Sequence, residues 1–444
     1  MTATSLPGES SPPKLGREPH YEIGRRETEI LARFPSGKRL AVTRGRARAY
    51  PGLTGAAPST LAFYQAFAPL VSGKHVIDAG AGSGLGTRVL CESVPHVSAL
   101  DCDARALDFA REYTPNAQFL QADLCHGPPL DRADAAVVVD VLGHLARPEA
   151  ALRGLRACLP VGAQLFVAEA KAYPSQHLTA PARRAFSQAA LVALLLRSGF
   201  DLEEIVCSGA NFVALVARRT DDAAVEALVE GFHQAGRGQL AAARTEFSRA
   251  LRSERSSVRL EARLGEAEAA FALNDGDGAV RAYFEANSLS ADDGRGLSGL
   301  ARIALATGEQ SDALRLALDA LKRDPTEGSA HAAMAFAAEQ LAHPDTFNAW
   351  RIAANLAPDD PEVAVGLARV SAARQNYSFA IHAMERLRGY DGPLGVDFHV
   401  TLGWLLLADG RPSDAATEAR YAVAIAPGHE AVTELGDAVR AAAV

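Results

Sequence analysis

The strongest constraint on the fold is a repeat that begins shortly after residue 220. A small residue recurs at intervals of 36, 34, 33, 34 and 35 residues, and seven residues after each comes a second position, occupied by Ala in five of six units. Small residues at fixed spacing let two helices of a hairpin approach closely, and each hairpin buries its apolar face only against the next. The pattern therefore predicts an all-α solenoid. The repeated positions are Ala243, Ala279, Ala313, Thr346, Ala380 and Ala415, then Ala250, Ala286, Ala320, Ala353, Leu387 and Ala422, with Phe247, Tyr283, Ala317, Trp350, Met384 and Ala419 between them.

Prolines close three of the units, at Pro325, Pro358 and Pro427, where a residue that cannot continue a helix is useful. The six units resemble the tetratricopeptide repeat (TPR) and extend from about 224 to 428, with a capping helix predicted over 429–443. The resemblance implies a groove that binds a protein partner, and it leaves a homodimer open. Because such repeats stack mainly on each other, we expect the preceding domain to fold without them.

Between residues 74 and 219, short apolar runs alternate with helical segments, which is the pattern of βαβ units. Five runs are spaced for parallel strands, and the last two are close enough in sequence to pair antiparallel. We predict an α/β doubly wound Rossmann-like sheet, mostly parallel with an antiparallel last strand. The predicted strands are 75–80, 96–101, 117–123, 134–140, 164–170, 201–206 and 211–218, and the helices are 104–113, 148–159 and 187–200.

Alternating glycines follow the first predicted strand, in the segment VIDAGAGSGLG at 76–86. The dinucleotide fingerprint G-x-G-x-x-G fails in every frame, because its third glycine would be Leu85, Thr87 or Val89. The Gly-Lys-Ser/Thr of a phosphate-binding P-loop is missing too. The carboxylate of Asp78 would repel a pyrophosphate and attract a cation. S-adenosylmethionine, which carries ammonium and sulfonium charges, fits these features.

The spacing Asp78-x-Gly80-x-Gly82-x-Gly84 resembles the first motif of the class I S-adenosylmethionine-dependent methyltransferases, and the resemblance continues over about residues 56–219. It implies that these four residues hold the methionine part of the cofactor.

Two later segments fall where the same family places its other cofactor contacts. HVSALDCD places Asp101 at the end of the second strand, about twenty residues after the loop, where the resemblance implies an acid that binds the ribose hydroxyls. FLQADL places Asp123 and Leu124 after the third strand, where the family's acid meets the adenine amino group.

Each of these acids also has a structural interpretation. Asp78 could fix the loop by accepting backbone N–H bonds. Asp103 is predicted to cap the helix that follows it rather than to bind a ligand. Asp123 lies in a turn, where Asp is common for local reasons.

The segment DAAVVVDVLGHLARP resembles the fourth-strand region of the family branch that methylates small molecules. A general base is needed only if the acceptor carries a proton that it cannot lose by itself. The candidate catalytic residues are Asp140 and His144, followed by Lys171, Tyr173 and His177 in the loop after strand five. The alternative is that His144 packs or caps the loop.

Absent motifs narrow the acceptor. The chain lacks the Asn/Asp-Pro-Pro-Tyr/Phe arrangement used on planar amino groups and the double-Glu hairpin of protein arginine enzymes. It also lacks the paired cysteines that would suggest a tRNA uracil enzyme. We therefore predict transfer to an oxygen or nitrogen of a small molecule or glycan. Two alternatives remain: a protein side chain recruited through the repeats, or an inactive scaffold that binds S-adenosylmethionine.

The composition is that of a cytoplasmic globular protein. A net charge of −8 and a pI near 5.9 argue against nucleic acid as a partner. Five widely spaced cysteines indicate reduced thiols and exclude the common zinc frameworks, so we predict no metal site. No apolar run reaches the ~20 residues that a membrane span needs.

The N-terminal region differs from the rest in charge. Between Lys14 and Arg48 there are ten Lys or Arg and four Glu, a net charge of +6. We expect either a solvated surface or a patch for an anionic acceptor. The predicted domains are a disordered leader (1–20), a lid or cap (21–55), the methyltransferase-like domain (56–219) and the repeats (224–444).

Overall fold

The computed structural model describes most of the chain from residue 58 onward. The predicted leader and lid, together with Tyr173 and His177, lie outside the described residues. Those residues are 58–71, 73–130, 132–145, 147–172, 184–208, 212–357, 360–385, 387 and 394–442.

A seven-stranded sheet occupies the first half of the described chain. Its order is β3-β2-β1-β4-β5-β7-β6; the first five strands are parallel, and β7 pairs antiparallel with both β5 and β6. This confirms the predicted fold class. The strands are β1 (His75–Ala79), β2 (His96–Asp101), β3 (Gln118–Gln121), β4 (Ala135–Val139), β5 (Gln164–Ala170), β6 (Phe200–Ser208) and β7 (Phe212–Arg219). The helices of this half are α1 (Pro58–Phe67), α2 (Leu85–Cys91), α3 (Ala104–Tyr113), α4 (Pro148–Cys158) and α5 (Gln188–Arg197).

The central strand β4 is apolar along its whole length because both faces of a parallel sheet are covered. All five residues of β4 are buried. On one face Phe67 of α1 packs on Phe166 of β5, with ring centroids 5.3 Å apart. Parallel strands end at one edge of the sheet, so the loops after β1, β2 and β4 share that edge.

The chain divides into two compact units. The sheet unit contains the described residues up to Leu142, then Arg147–Ala170 and Phe200–Thr220. The helical unit contains the short stretch after Leu142, Lys171–Gly199 and the chain from Asp221 onward. Helix α5 thus belongs to the helical unit, and the domain boundaries given above stay a prediction.

The helical unit consists mainly of helix hairpins with the predicted period. Six consecutive pairs and a last helix follow Asp222, the residue that caps α6 by accepting from two backbone N–H groups. They agree with the resemblance to the tetratricopeptide repeat. The helices are α6 (Ala223–Gly236), α7 (Leu240–Ala250), α8 (Ser256–Ala272), α9 (Gly276–Leu289), α10 (Arg295–Ala306), α11 (Gln310–Arg323), α12 (Gly328–Gln340), α13 (Thr346–Leu356), α14 (Pro361–Ala372), α15 (Tyr377–Glu385), α16 (Val396–Ala408), α17 (Pro412–Ile425) and α18 (Glu430–Ala442).

Large side chains on the second helix of a hairpin pack against glycines on the next hairpin. A Cβ built on Gly366 of α14 would lie 2.3 Å from the ring of Trp350, and one on Gly299 of α10 would lie 2.1 Å from Tyr283. Both aromatic side chains are buried. Where the large residue is replaced by Ala317 of α11, its partner is Ala333 instead. The packing between repeats therefore matches a large residue with a missing side chain.

The variant Gly366→Ala is expected to destabilise the helical unit by about 1–3 kcal/mol, because the new methyl group overlaps the buried indole of Trp350. Urea denaturation followed by circular dichroism would measure the change. The matched control is Gly276→Ala, also in a helix but with nothing within 4 Å of the added Cβ. If the two variants were equally stable, Gly366 would not be a packing position.

Candidate cofactor-binding site

The loop after β1, residues 80–84, is built from glycines because its backbone is left-handed. Gly80, Gly82 and Gly84 have φ of +85°, +55° and +83°, a region that other residues rarely adopt. The N–H groups of Gly80 and Ala81 both donate to the carbonyl of Leu100, at 2.8 and 2.9 Å, so the loop is tied to the end of β2. A Cβ on Gly82 would meet nothing within 4 Å. There is therefore room beside the middle of this glycine loop.

Asp78 lies in β1 beneath the loop and is fully buried. One carboxylate oxygen accepts from the Tyr64 hydroxyl at 2.8 Å, and the other accepts from the Thr87 hydroxyl at 2.6 Å. Burial raises the pKa of Asp78 to about 6, although both hydroxyls act to lower it. Among the described residues, the side-chain hydroxyls of Tyr64 and Thr87 hold this acid, and no backbone N–H donates to it.

Tyr64 and Thr87 were not predicted from the sequence. The ring of Tyr64 packs where a Cβ on Gly86 would lie, 2.2 Å from the nearest ring atom. The fourth glycine of the run thus makes space for the tyrosine that bonds Asp78. Thr87, nine residues after Asp78 in the first turn of α2, could have been found from its position. Tyr64 could not, because it reaches the site from α1 by tertiary packing.

Asp101 ends β2 and bonds directly to the glycine loop. Its carboxylate is buried and accepts from the N–H of Gly82 at 2.8 Å and from the N–H of Asp103 at 2.9 Å. Asp103 caps α3 as predicted, accepting from the N–H groups of Arg105 and Ala106 at 3.0 and 3.4 Å. Asp101 therefore lies at the loop, and Asp103 turns away to serve the helix.

Asp123 caps a short 3₁₀ turn, Leu124–His126. It accepts from the N–H of Cys125 at 2.9 Å, and its carboxylate lies 3.2 Å from Nδ1 of His126. Leu124 is buried under the turn. These contacts support the local interpretation of Asp123, and the adenine contact of Asp123 and Leu124 stays a prediction.

The segment after β4 carries the candidate bases. Asp140 is exposed and has φ of +56°, and its N–H donates to the carbonyl of Ala168 at 2.8 Å. His144 ends the 3₁₀ turn Leu142–His144 and is half-buried. Lys171 forms an isolated bridge with Phe186. The catalytic roles of these residues stay predictions.

Three of the predicted acids lie near enough to Tyr64 for their charges to act on its hydroxyl. Burial raises the pKa of Tyr64 well above its usual value, and the charges of Asp78, Asp101 and Asp140 raise it further. We refer to these three residues as the carboxylate cluster. Its field favours a cationic ligand and opposes a pyrophosphate. Within the described residues, no group of three His, Cys, Asp or Glu is arranged to hold a metal ion.

Residues 77–167 match the family described as a methyltransferase domain. This part of the chain is a methyltransferase domain. The match covers about a fifth of the 444 residues and runs from β1 into β5, so it includes the glycine loop and the carboxylate cluster.

None of the described helices combines the length and the apolar composition that a membrane-spanning helix needs.

Similar proteins are known for both halves of the chain. Trans-aconitate 2-methyltransferase of Paracidovorax citrulli is 40% identical over 63 residues, which are 14% of this chain and only 24% of that protein. An S-adenosylmethionine-dependent methyltransferase of Mesorhizobium loti is 20% identical over 35% of this chain and 95% of its own, with a TM-score of 0.30. The PilF protein of Pseudomonas aeruginosa is 17% identical over 49% and 98%, with a TM-score of 0.40.

The variant Asp78→Asn is expected to change how the stability of the methyltransferase domain depends on pH. The pKa of Asp78 is about 6 in the folded protein against 3.8 ordinarily. A raised carboxyl pKa contributes stability that is full below about 4 and is lost as the pH rises through 6, about 3 kcal/mol in all. Urea denaturation from pH 4 to 7.5 should show that the free energy of unfolding of the variant increases relative to that of the wild type as the pH rises. Parallel curves for the two proteins would contradict the raised pKa.

Proposed function

We propose that this protein transfers a methyl group from S-adenosylmethionine to an oxygen or nitrogen atom of a small molecule or glycan. The observation that carries the proposal is the carboxylate cluster beside an open glycine loop within a methyltransferase domain. A ligand with two positive charges and no phosphate suits this site, whereas a dinucleotide would place its negative charge against three acids.

The residues present fit this cofactor. The open side of Gly82 leaves space for the methionine part, and the cluster favours its ammonium and sulfonium groups. Asp101 accepts from the N–H groups of Gly82 and Asp103 and so lies at the glycine loop. We assign to this carboxylate the ribose hydroxyls of the cofactor. Asp123 and Leu124 would hold the adenine.

The cofactor supplies a methyl group that the sulfonium has already activated. The chain's own task is to hold the acceptor in line and to exclude water. Asp140, an exposed carboxylate at the end of β4, would remove a proton from a hydroxyl or ammonium acceptor, with His144 as the second candidate.

A protein side chain is the second candidate for the acceptor. Large apolar side chains are exposed on the helical unit: Phe284 is 65% exposed and Tyr421 52%. Exposed apolar residues of this size are a common feature of protein-binding surfaces, so the repeats could recruit a protein for methylation.

The test is release of S-adenosylhomocysteine when the protein and S-adenosylmethionine are mixed with a cell extract separated by size. We expect the small-molecule fraction to stimulate release, and the Asp101→Asn variant to abolish the stimulation. Stimulation by the protein fraction alone would favour the second candidate. If S-adenosylhomocysteine binds but neither fraction is methylated, the protein is a binding scaffold and the proposal is wrong.

A further inference from the structure

A buried glutamate in β5 holds the backbone that follows β4. Glu169 is 1% exposed, and its Oε1 accepts from the N–H groups of Val141 and Leu142 at 2.9 and 2.7 Å. Burying a carboxylate is costly unless it is hydrogen-bonded. Two consecutive N–H groups after a left-handed residue, here Asp140, form a small concavity that suits an anion. The carboxylate and the turn therefore stabilise each other.

Val141 carries this restraint to the glycine loop. A Cβ built on Gly80 would lie 2.3 Å from Cγ2 and 2.9 Å from Cγ1 of Val141, so the isopropyl group sits directly against the Cα of Gly80. The backbone of Val141 cannot shift toward the loop without displacing Gly80. If it shifted away, a gap would open beside the loop.

We propose that Glu169 is a positioning residue for the glycine loop. It fixes the amides of Val141 and Leu142, and through the side chain of Val141 it fixes Gly80. This inference rests on the proposed function, since it assumes that the loop receives S-adenosylmethionine. Glu169 is buried and bonded to backbone, so we assign it a role through Val141 and not a contact with the methyl-accepting substrate.

Two substitutions of Glu169 separate the effect of its hydrogen-bond acceptor from the effect of its side-chain volume. Glu169→Gln keeps a carbonyl oxygen that accepts from both N–H groups, whereas Glu169→Leu has a similar size and leaves both N–H groups unsatisfied. Val141→Ala keeps the hydrogen bonds and removes the contact with Gly80. Glu204→Gln is the matched control, because Glu204 is an exposed glutamate in β6 of the same sheet.

The affinity for S-adenosylhomocysteine is measured by titration calorimetry on the full chain. We expect Glu169→Leu to raise Kd by about 10- to 100-fold, Glu169→Gln by about 3-fold or less, and the control to leave it unchanged. Because Glu169 acts through Val141, the double variant Glu169→Leu/Val141→Ala should have an affinity no lower than that of the weaker-binding single variant. Fully additive losses would overturn the coupling.

Hydrogen exchange without ligand tests the same link independently of binding. Glu169→Leu should speed exchange in 80–84 and 141–144 and leave the strands of the sheet as protected as before. A uniform rise would mean global destabilisation and would contradict positioning. If Glu169→Leu does not fold, Val141→Ala carries the test, since faster exchange at 80–84 is expected there too. If the wild type binds no S-adenosylhomocysteine, the proposed function is contradicted. Faster local exchange in Glu169→Leu would still support the link between Glu169 and the glycine loop.

Discussion

Replacing Asp101 with Asn is expected to weaken the binding of S-adenosylhomocysteine by at least about 100-fold. A charge-assisted hydrogen bond contributes about 1.5–3 kcal/mol, and the proposed site has two of them to the ribose. The loss extends to the loop, because Asn offers one acceptor oxygen where the carboxylate serves the N–H groups of both Gly82 and Asp103. Titration calorimetry would measure the affinity, and the thermal midpoint would confirm folding.

The matched control is Asp108→Asn on α3. Asp108 is exposed and pairs with Arg111, three residues further along the same helix, so its loss should leave affinity within about 2-fold. Should Asp101→Asn also bind within about 3-fold of the wild type, the ribose assignment would be wrong.

Replacing Glu261 with Gln is expected to destabilise the helical unit by about 3–5 kcal/mol, because it removes the buried anion that two guanidinium groups share. Glu261 is 3% exposed and accepts from Arg197 of α5 at 2.6 Å and from Arg295 of α10. Arg295 also pairs with Asp293 at 2.7 Å. Urea denaturation at pH 7 would measure the loss.

The control and the pH dependence sharpen this test. Asp312→Asn breaks an exposed pair with Arg315 and should cost less than about 1 kcal/mol. Burial acts to raise the pKa of Glu261, but the charges and hydrogen bonds of Arg197 and Arg295 outweigh burial and lower this pKa to about 2. The wild-type advantage is therefore full above pH 4.5 and is lost as the pH falls from 4.5 toward 2. An advantage that stays constant down to about pH 2.5 would contradict the buried ion pair.

Much of the fold could be predicted from the period of the apolar residues. β2, β5 and α3 begin and end at the predicted residues, since strong alternation and a clear cap fix them locally. Thr346 is a difference: it begins α13 and is half-buried, whereas the other five repeated positions are buried. His343 precedes Pro344, which disfavours the helical conformation, so α13 lacks the turn that its counterparts have.

The candidate site could be predicted only in part. The acids and glycines lie at or just after strand ends, and sequence order places them at one edge of the sheet. Glu169 and Tyr64 were missed because their roles depend on what they touch after folding, 27 and 14 residues away. The glycines opposite Tyr283 and Trp350 were missed for the same reason: they serve the neighbouring repeat.

Helix α5 bears on the sequence-based expectation that the methyltransferase domain folds without the repeats. Leu196 of α5 packs in one core with residues of α6, α7 and α8, and Arg197 lies over the ring of Phe232 at 4.3 Å. A chain cut after Thr220 would keep α5 and lose these partners. We therefore expect a shortened chain that contains α5 to be more stable when it retains α6 to α8 as well.

The central claim is that the carboxylate cluster and glycine loop receive a cationic methyl donor and not a dinucleotide. Titration calorimetry of the wild type with S-adenosylhomocysteine, S-adenosylmethionine and a nicotinamide dinucleotide tests it most directly. We predict saturable one-to-one heat with the first two ligands and none with the third. Heat with the dinucleotide alone would contradict the claim.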